Sequence, residues 1–304
     1  MSYSGIKLFA PASLSFYSYG LKNLSICLDN PGNEIKAHID DTYKTVTLDS
    51  YSKEKKDRFG SKEIIKEFAI SFLSEFNANT GIKLEISNRI PFDSGLGFLE
   101  ANITGTLIAL NNLLKMHLDK TTIFNFILKN ASEKNIRILP SNIAANLYGG
   151  IILYNEKAFN PIQKIYNPHG ISFTLIPTKS HSNQNPFSQI PSELFPDQAV
   201  SIATLIKGLM IDDAELMATG INNNLFEKHL ISNMDFMLDI REISFNNKVY
   251  ALGLAHLGEI IFIVNPNTLI KEQNDAEITE YFKIKNIKLS LYNSNINLNG
   301  IYKY

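Results

Sequence analysis

The stretch Ile90 to Leu114 reads I-P-F-D-S-G-L-G-F-L-E-A-N-I-T-G-T-L-I-A-L-N-N-L-L, and its two halves follow different patterns. The first is rich in Pro, Asp, Ser and Gly. In the second, Leu99, Ile103, Leu107, Leu110 and Leu114 recur at spacings of three and four, which predicts a loop feeding a buried helix. Gly95 and Gly97 free the loop backbone to take positive φ and to approach a ligand closely. The unpaired N–H groups of the first helical turn and the helix dipole favour an anion at the same place. A phosphate site is built this way, although a tight turn before any core helix uses the same glycines.

Outward from this loop the chain reads as a mixture of strands and helices. Ile6 to Ala10, Leu24 to Leu28, Glu34 to Ile39 and Thr45 to Leu48 have strand length and patterning, with Asn30-Pro31-Gly32-Asn33 as a turn. Ser61 caps a helix from Lys62 to Phe76, and Ile82, Leu84 and Ile86 alternate with polar residues in a strand that delivers the chain to the loop. Thr121 or Thr122 starts a helix through Glu133, and Asn142 to Leu147 is a short one before strand Ile151 to Tyr154. A segment rich in Pro, Ser and Asn, from Asn160 to Pro196, holds one strand, Ile171 to Ile176, and marks the passage to a second half. There Ala199–Met210, Asp213–Ile221, Met234–Ser244 and Ala276–Phe282 read as helices, and Val249–Leu254, Glu259–Val264 and Ile287–Leu291 as strands.

With 304 residues, 44% of them hydrophobic, the chain is long enough for two domains without staples. Lys and Arg total 29 against 30 for Asp and Glu, and no long block carries one sign, so neither a nucleic-acid groove nor a membrane face is expected. The brief basic run Lys53 to Arg58 reads as a solvated loop. Cys27 is the one cysteine, which excludes an internal disulfide and a cysteine metal cluster. No targeting signal or run approaching a membrane span is read, and the cytoplasm is the default compartment.

Three collinear stretches resemble the GHMP small-molecule kinases. Pro91-x-x-Ser94-Gly95-Leu96-Gly97 is similar to their P-x-x-S/G-G-L-G-S-S-A-A motif. Lys7 to Glu34, K-L-F-A-P-A-S through L-D-N-P-G-N-E, resembles the start of the homoserine kinase branch, F-A-P-A-T-x-A-N-x-G-P-G-F-D-x-L-G-x-A-L-x-x-P-G-D-E. Pro140 to Gly150 resembles that branch's H-x-D-N-V-A-P-A-x-x-G-G. The resemblance implies an α+β fold of two domains: a ribosomal-S5-like N-terminal domain over residues 1–165 and an α/β-sandwich C-terminal domain over 166–304. It also implies direct transfer of the ATP γ-phosphoryl group to a small alcohol with Mg2+, homoserine and threonine biosynthesis being the branch's setting.

Carried over residue by residue, the resemblance assigns nucleotide binding to Pro91, Ser94, Gly95, Leu96 and Gly97, and a catalytic and substrate-binding role to Asn142. Glu133 is the nearest candidate for the magnesium-binding catalytic glutamate. Ser141 and Lys22 take the substrate-binding positions where the family has aspartates, so Lys22 puts a like charge where the substrate ammonium was held. The family's two serines fall on Phe98 and Leu99, and Glu100 brings a carboxylate toward the loop amides. The arginines that grip the substrate carboxylate have no counterpart near Leu194-Phe195-Pro196 or in Leu225 to His229, where Lys228 or His229 is the substitute. Gly253 to Ile260 stands for the glycine-rich last motif, with Glu259 adding negative charge and His256 reading as structural, without a carboxylate partner.

Two readings follow. The first is a homoserine-kinase-like protein with eroded ATP and homoserine sites and a binding or altered-ligand role. The second is a working ATP-dependent kinase acting on homoserine or a related metabolite. The expected partner is a small-molecule ligand or a protein, homodimerisation included, with ATP and Mg2+ as cofactors if the chain is active and none otherwise.

Overall fold

The computed structural model describes residues 5–40, 42, 44–50, 60–92, 94–165, 171–178, 190–227, 236–256 and 259–304. The strands are β1 (Gly5–Ser15), β2 (Leu24–Ile39), β3 (Val46–Ser50), β4 (Ile82–Ser87), β5 (Ile151–Tyr154), β6 (Ile162–Ile165), β7 (Ser172–Pro177), β8 (Ala251–Ala255), β9 (Ile260–Asn265), β10 (Tyr292–Ser294) and β11 (Tyr302–Lys303). The helices are α1 (Ser61–Glu75), α2 (Phe98–Leu113), α3 (Lys120–Glu133), α4 (Pro140–Tyr148), α5 (Leu194–Ile211), α6 (Ala214–Asn222), α7 (Met237–Asn246) and α8 (Thr268–Ile284).

A seven-stranded sheet runs β11-β1-β2-β4-β3, with β5 and β6 added to β2. The long β2 serves two neighbours: residues 34–39 pair with β4, and Leu24 to Ile26 pair with β5. The turn expected at Asn30 to Asn33 lies inside this strand. The register on β1 moves from Pro11↔Gly32 to Ser13↔Cys27, so residues around Asn30-Pro31 have no opposite number and bulge from the ladder. Turn-forming residues here make a bulge because both flanks pair with the same strand. The bulge has a second anchor, where Asn295 N and Nδ2 donate to the Asp29 carboxylate at 2.8 and 3.0 Å.

Helices α2 and α4 pack on β1 and β2, α1 packs on β3, and α3 packs on the other three helices. The α2 stripe behaves as its spacing demands, with Ile103, Leu107 and Leu110 fully buried. Gly60, at φ 64°, occupies the N-cap of α1 where Ser61 is expected, and Asp119 caps α3 by accepting the Thr122 N–H at 2.6 Å.

The second sheet, β10-β7-β9-β8, shares its two faces between two cores. On β9, Ile260, Phe262 and Val264 pack into the core that also holds Phe16 and Tyr19, while Ile261 and Ile263 face α7 and α8 with Met237, Ile278 and Phe282. A strand buried on both sides has to be apolar throughout, and Ile260 to Val264 is. Strand β11 returns to pair with β1, so the two sheets do not divide the chain at a single point. Residues 287–291, expected as a strand, precede β10, and Ile287, Leu289 and Leu291 pack on the second core without joining the sheet.

Among the described residues one helix, α5, with 18 residues and a mean hydropathy of 1.3, has the length and composition of a membrane span, a combination that a helix packed in a protein core also meets. Its inner side is that of a helix packed on protein. Leu205 and Leu209 are buried, and Gly208 lets α6 approach so closely that a Cβ there would collide with the backbone of Met217.

Candidate functional site

Strand β4 ends at Ser87, and the loop that follows folds on itself before α2 begins. Ser94 Oγ donates to the Pro91 carbonyl at 2.7 Å, and Ser13 N on β1 donates to the Leu96 carbonyl at 3.1 Å. Asp93 lies outside the described residues. Gly95 (φ 72°) and Gly97 (φ 69°) both take left-handed backbone, and Gly97 is the N-cap of α2. Close approach demands glycine as much as φ does. A Cβ on Gly97 would collide with Ser13 Oγ, and one on Gly95 would meet Glu259 Oε2 and His256 Cβ at 2.8 Å.

The N–H groups of Phe98, Leu99 and Glu100 have no acceptor within α2, which leaves a donor-rich helix end beside the loop. Phe98 turns its ring edge-on to Phe92, with centroids 5.2 Å apart. Neither Phe98 nor Leu99 offers a hydroxyl. Glu100 departs from expectation: it is 9% exposed, and its Oε1 accepts the backbone N–H of Leu139, the N-cap residue of α4, at 3.0 Å. Its carboxylate closes the end of a different helix instead of reaching back to its own loop.

The carboxylate against the loop is Glu259. It pairs with His256, Nδ1 to Oε2 at 2.6 Å, which corrects the reading of His256 as lacking a carboxylate partner. Backbone bonds fix both residues: His256 N donates to the Ser15 carbonyl at 2.9 Å, and Thr178 N donates to the Glu259 carbonyl at 2.7 Å. Tyr17 stands edge-on to the imidazole, 6.2 Å between centroids. Leu257 and Gly258 lie outside the described residues.

On the other side of the loop α4 supplies Ser141 and Asn142. Ser141 Oγ donates to the Lys22 carbonyl at 2.8 Å, and Ser25 Oγ lies 2.8 Å from Ser141 Oγ and 2.7 Å from Asn142 Oδ1. The Asn142 amide also lies 3.4 Å from where a Cβ on Gly97 would stand. Ser13 and Ser15 are fully buried, and their hydroxyls have no protein partner among the described residues.

Pro91, Ser94, Gly95, Leu96, Gly97, Ser141 and Asn142 are thus neighbours in space. Lys22 joins them through its backbone carbonyl, while its side chain is exposed. Glu133 is an exposed residue at the end of α3 and makes no hydrogen bond to this group among the described residues. Sequence reasoning passed over Ser25, which stands where the quoted family motif has glycine. It also missed Arg241 on α7, which forms a largely buried ion pair with Glu227. Burial raises the Glu227 carboxyl above its ordinary range, against the pull of the guanidinium. Lys228 and His229 lie outside the described residues.

A fully antiparallel second sheet, a seven-stranded first sheet and a glycine loop at the N-terminus of a buried helix define a two-sheet α/β architecture with the loop near its centre. The model of the GHMP kinases N terminal domain matches residues 63–150. Homoserine kinase of Thermoplasma volcanium is 20% identical over 235 residues, covering 75% of this chain and 76% of that protein. Homoserine kinase of Sulfurisphaera tokodaii is 26% identical over 185 residues, covering 58% of this chain and 60% of that protein, which is less than two thirds of its length. Among solved structures, homoserine kinase from Cytophaga hutchinsonii has a TM-score of 0.86 at 21% identity, covering 100% of this chain and 98% of that one. Methanococcus jannaschii mevalonate kinase has a TM-score of 0.76 at 17% identity, with 97% and 98% covered. These likenesses support the GHMP kinase superfamily and, within it, the homoserine kinase branch.

Proposed function

We propose that this homoserine-kinase-like protein keeps the anion cradle of the kinase and has lost the groups that hold the metal and the amino acid. It then binds a small anionic or phosphate-bearing ligand with little or no phosphotransfer to homoserine. The observation that carries this reading is the composition of the α2 N-terminus, where free first-turn amides meet two side chains, Phe98 and Leu99, that cannot coordinate a metal.

ATP and magnesium fit these residues unequally. Phosphate oxygens suit the amides of the first turn and the unpartnered Ser13 hydroxyl beside Gly97. Magnesium needs oxygen ligands in octahedral geometry. Here Glu100 is committed to Leu139, and Glu133 is exposed at a helix end. The metal therefore does not fit this arrangement, and no step is derived through it.

The kinase reading has one observation of its own, that Glu100 is turned away from the loop it was expected to block. Calorimetry separates the two. The binding reading expects inorganic phosphate or ATP to bind independently of Mg2+ and homoserine to be left unphosphorylated. Metal-dependent ATP binding in the low micromolar range, where about 7 to 8 kcal/mol is available, together with turnover of homoserine, would establish the kinase instead.

A further inference from the structure

Three short polar contacts run in a line beside the loop: Lys22 carbonyl to Ser141 Oγ at 2.8 Å, Ser141 Oγ to Ser25 Oγ at 2.8 Å, and Ser25 Oγ to the Asn142 amide at 2.7 Å. The side chains are buried, Ser25 and Ser141 at 0% exposure and Asn142 at 1%, so water does not relieve a mismatch here. Each hydroxyl has one proton, and the Lys22 carbonyl can only accept. The Ser141 proton therefore goes to Lys22. The contact between Ser141 and Ser25 then takes the Ser25 proton. Nothing is left for the third contact unless Asn142 supplies it.

With Oδ1 against Ser25, one of the three contacts would set two oxygens face to face at under 3 Å, or a single proton would be divided between two acceptors. With the NH2 there, all three are ordinary hydrogen bonds pointing one way, from Asn142 through Ser25 and Ser141 to Lys22. The two ends of a side-chain amide are isosteric, and the network decides between them. We infer that Asn142 gives its NH2 to Ser25 and presents its carbonyl oxygen toward Gly97, so that Ser25 is a positioning residue fixing Asn142 as a hydrogen-bond acceptor at the loop.

This narrows the ligand class, a step that rests on the proposed anion site. The first turn of α2 offers donors, and Asn142 beside it offers an acceptor. A bare oxyanion satisfies half of that arrangement. A ligand carrying both an anionic group and a hydroxyl or ammonium donor satisfies all of it. Because Ser25 replaces the glycine of the quoted family motif, the relay is a property of this chain.

Nuclear magnetic resonance of the uniformly 15N-labelled full chain tests the orientation, with the Asn142 side-chain pair assigned by its loss in Asn142→Asp. The inference expects that pair to shift in Ser25→Ala, and to a smaller extent in Ser141→Ala, and to stay in place when inorganic phosphate is titrated in while the Gly95 and Gly97 backbone amides move. If Ser25→Ala does not fold, Ser141→Ala and protection of the pair from hydrogen exchange in the unmodified chain give the same answer. An Asn142 pair that ignores both serine substitutions, or that follows phosphate together with the loop amides, overturns it. Should Gly95 and Gly97 fail to respond to phosphate, the proposed anion site fails, and the serine substitutions still decide the orientation.

Discussion

Glu100 Oε1 accepts the Leu139 backbone N–H at 3.0 Å, so a carboxylate from the first turn of α2 closes the N-terminal end of α4. The two helices that flank the loop are held together by that bond. It is charge-assisted and largely buried.

Replacing Glu100 by Ala should therefore act on stability. Loss of an acceptor at a helix N-terminus costs about 1 to 2 kcal/mol, a drop in Tm of a few degrees for a chain of this size. Thermal unfolding of Glu100→Ala and Glu100→Gln checks this. An unchanged Tm in both would mean the bond contributes nothing.

Glu259 is the carboxylate that opposes an anion at the loop, since its Oε2 stands 2.8 Å from the Cβ position of Gly95. A like-charge contact at about 4 Å and an effective dielectric of about 20 costs on the order of 4 kcal/mol before screening. His256 Nδ1, 2.6 Å from the same Oε2, holds that oxygen in place beside the loop. Glu259→Gln should tighten binding of ATP or inorganic phosphate by about tenfold, or about 1.4 kcal/mol, and Glu100→Gln by much less. Equal effects of the two substitutions in titration calorimetry would count against this placement.

Homoserine should fail as a ligand. Lys22 replaces the carboxylate expected at the ammonium, and Arg241 is engaged by Glu227. An unpaired charge in a pocket costs several kcal/mol. Expression of this chain in a strain lacking homoserine kinase should not restore growth without threonine, and restoration at ordinary expression would refute the loss of the amino-acid grip.

Tyr281 ties α8 to α7 by donating its hydroxyl proton to Asp239 Oδ2 at 2.6 Å. Burial first, then that hydrogen bond, raises its pKa from 10.0 to about 12. A raised folded-state value means the contribution is complete below the unfolded pKa and is lost as pH climbs from about 10 to about 12. Denaturant unfolding across that window should show a slope that Tyr281→Phe reduces. A slope unaffected by the substitution would assign the alkaline loss to other groups.

Much of the fold was legible because periodicity is a local property. The three- and four-residue spacing in α2, the alternation in β4 and the unbroken apolar run in β9 each report how many faces an element must bury, and that demand is met wherever the element finally sits. Capping was less legible. Asp119 caps a helix that the sequence pattern starts at Thr121 or Thr122, and Asp213 is a cap where the pattern makes it a helical residue, since any short polar side chain can serve and geometry chooses which one does. The bulge in β2 escaped because Asn30-Pro31-Gly32-Asn33 has the composition of a turn, and only the pairing of both flanks with β1 makes it part of a strand.

At the site, the sequence by itself determined the loop, its two left-handed glycines, the helix behind it and the substitution of Phe98 and Leu99 for hydroxyls. All of these follow from residue type and neighbouring position along the chain. The tertiary structure decided which carboxylate faces the loop. Glu100 follows closely on Gly97 in sequence yet leaves for Leu139, while Glu259 arrives from the far half of the chain on the turn between β8 and β9. Side-chain direction is set by which backbone donors and counter-charges the packed elements bring within about 3 Å, and no spacing along a chain encodes that distance.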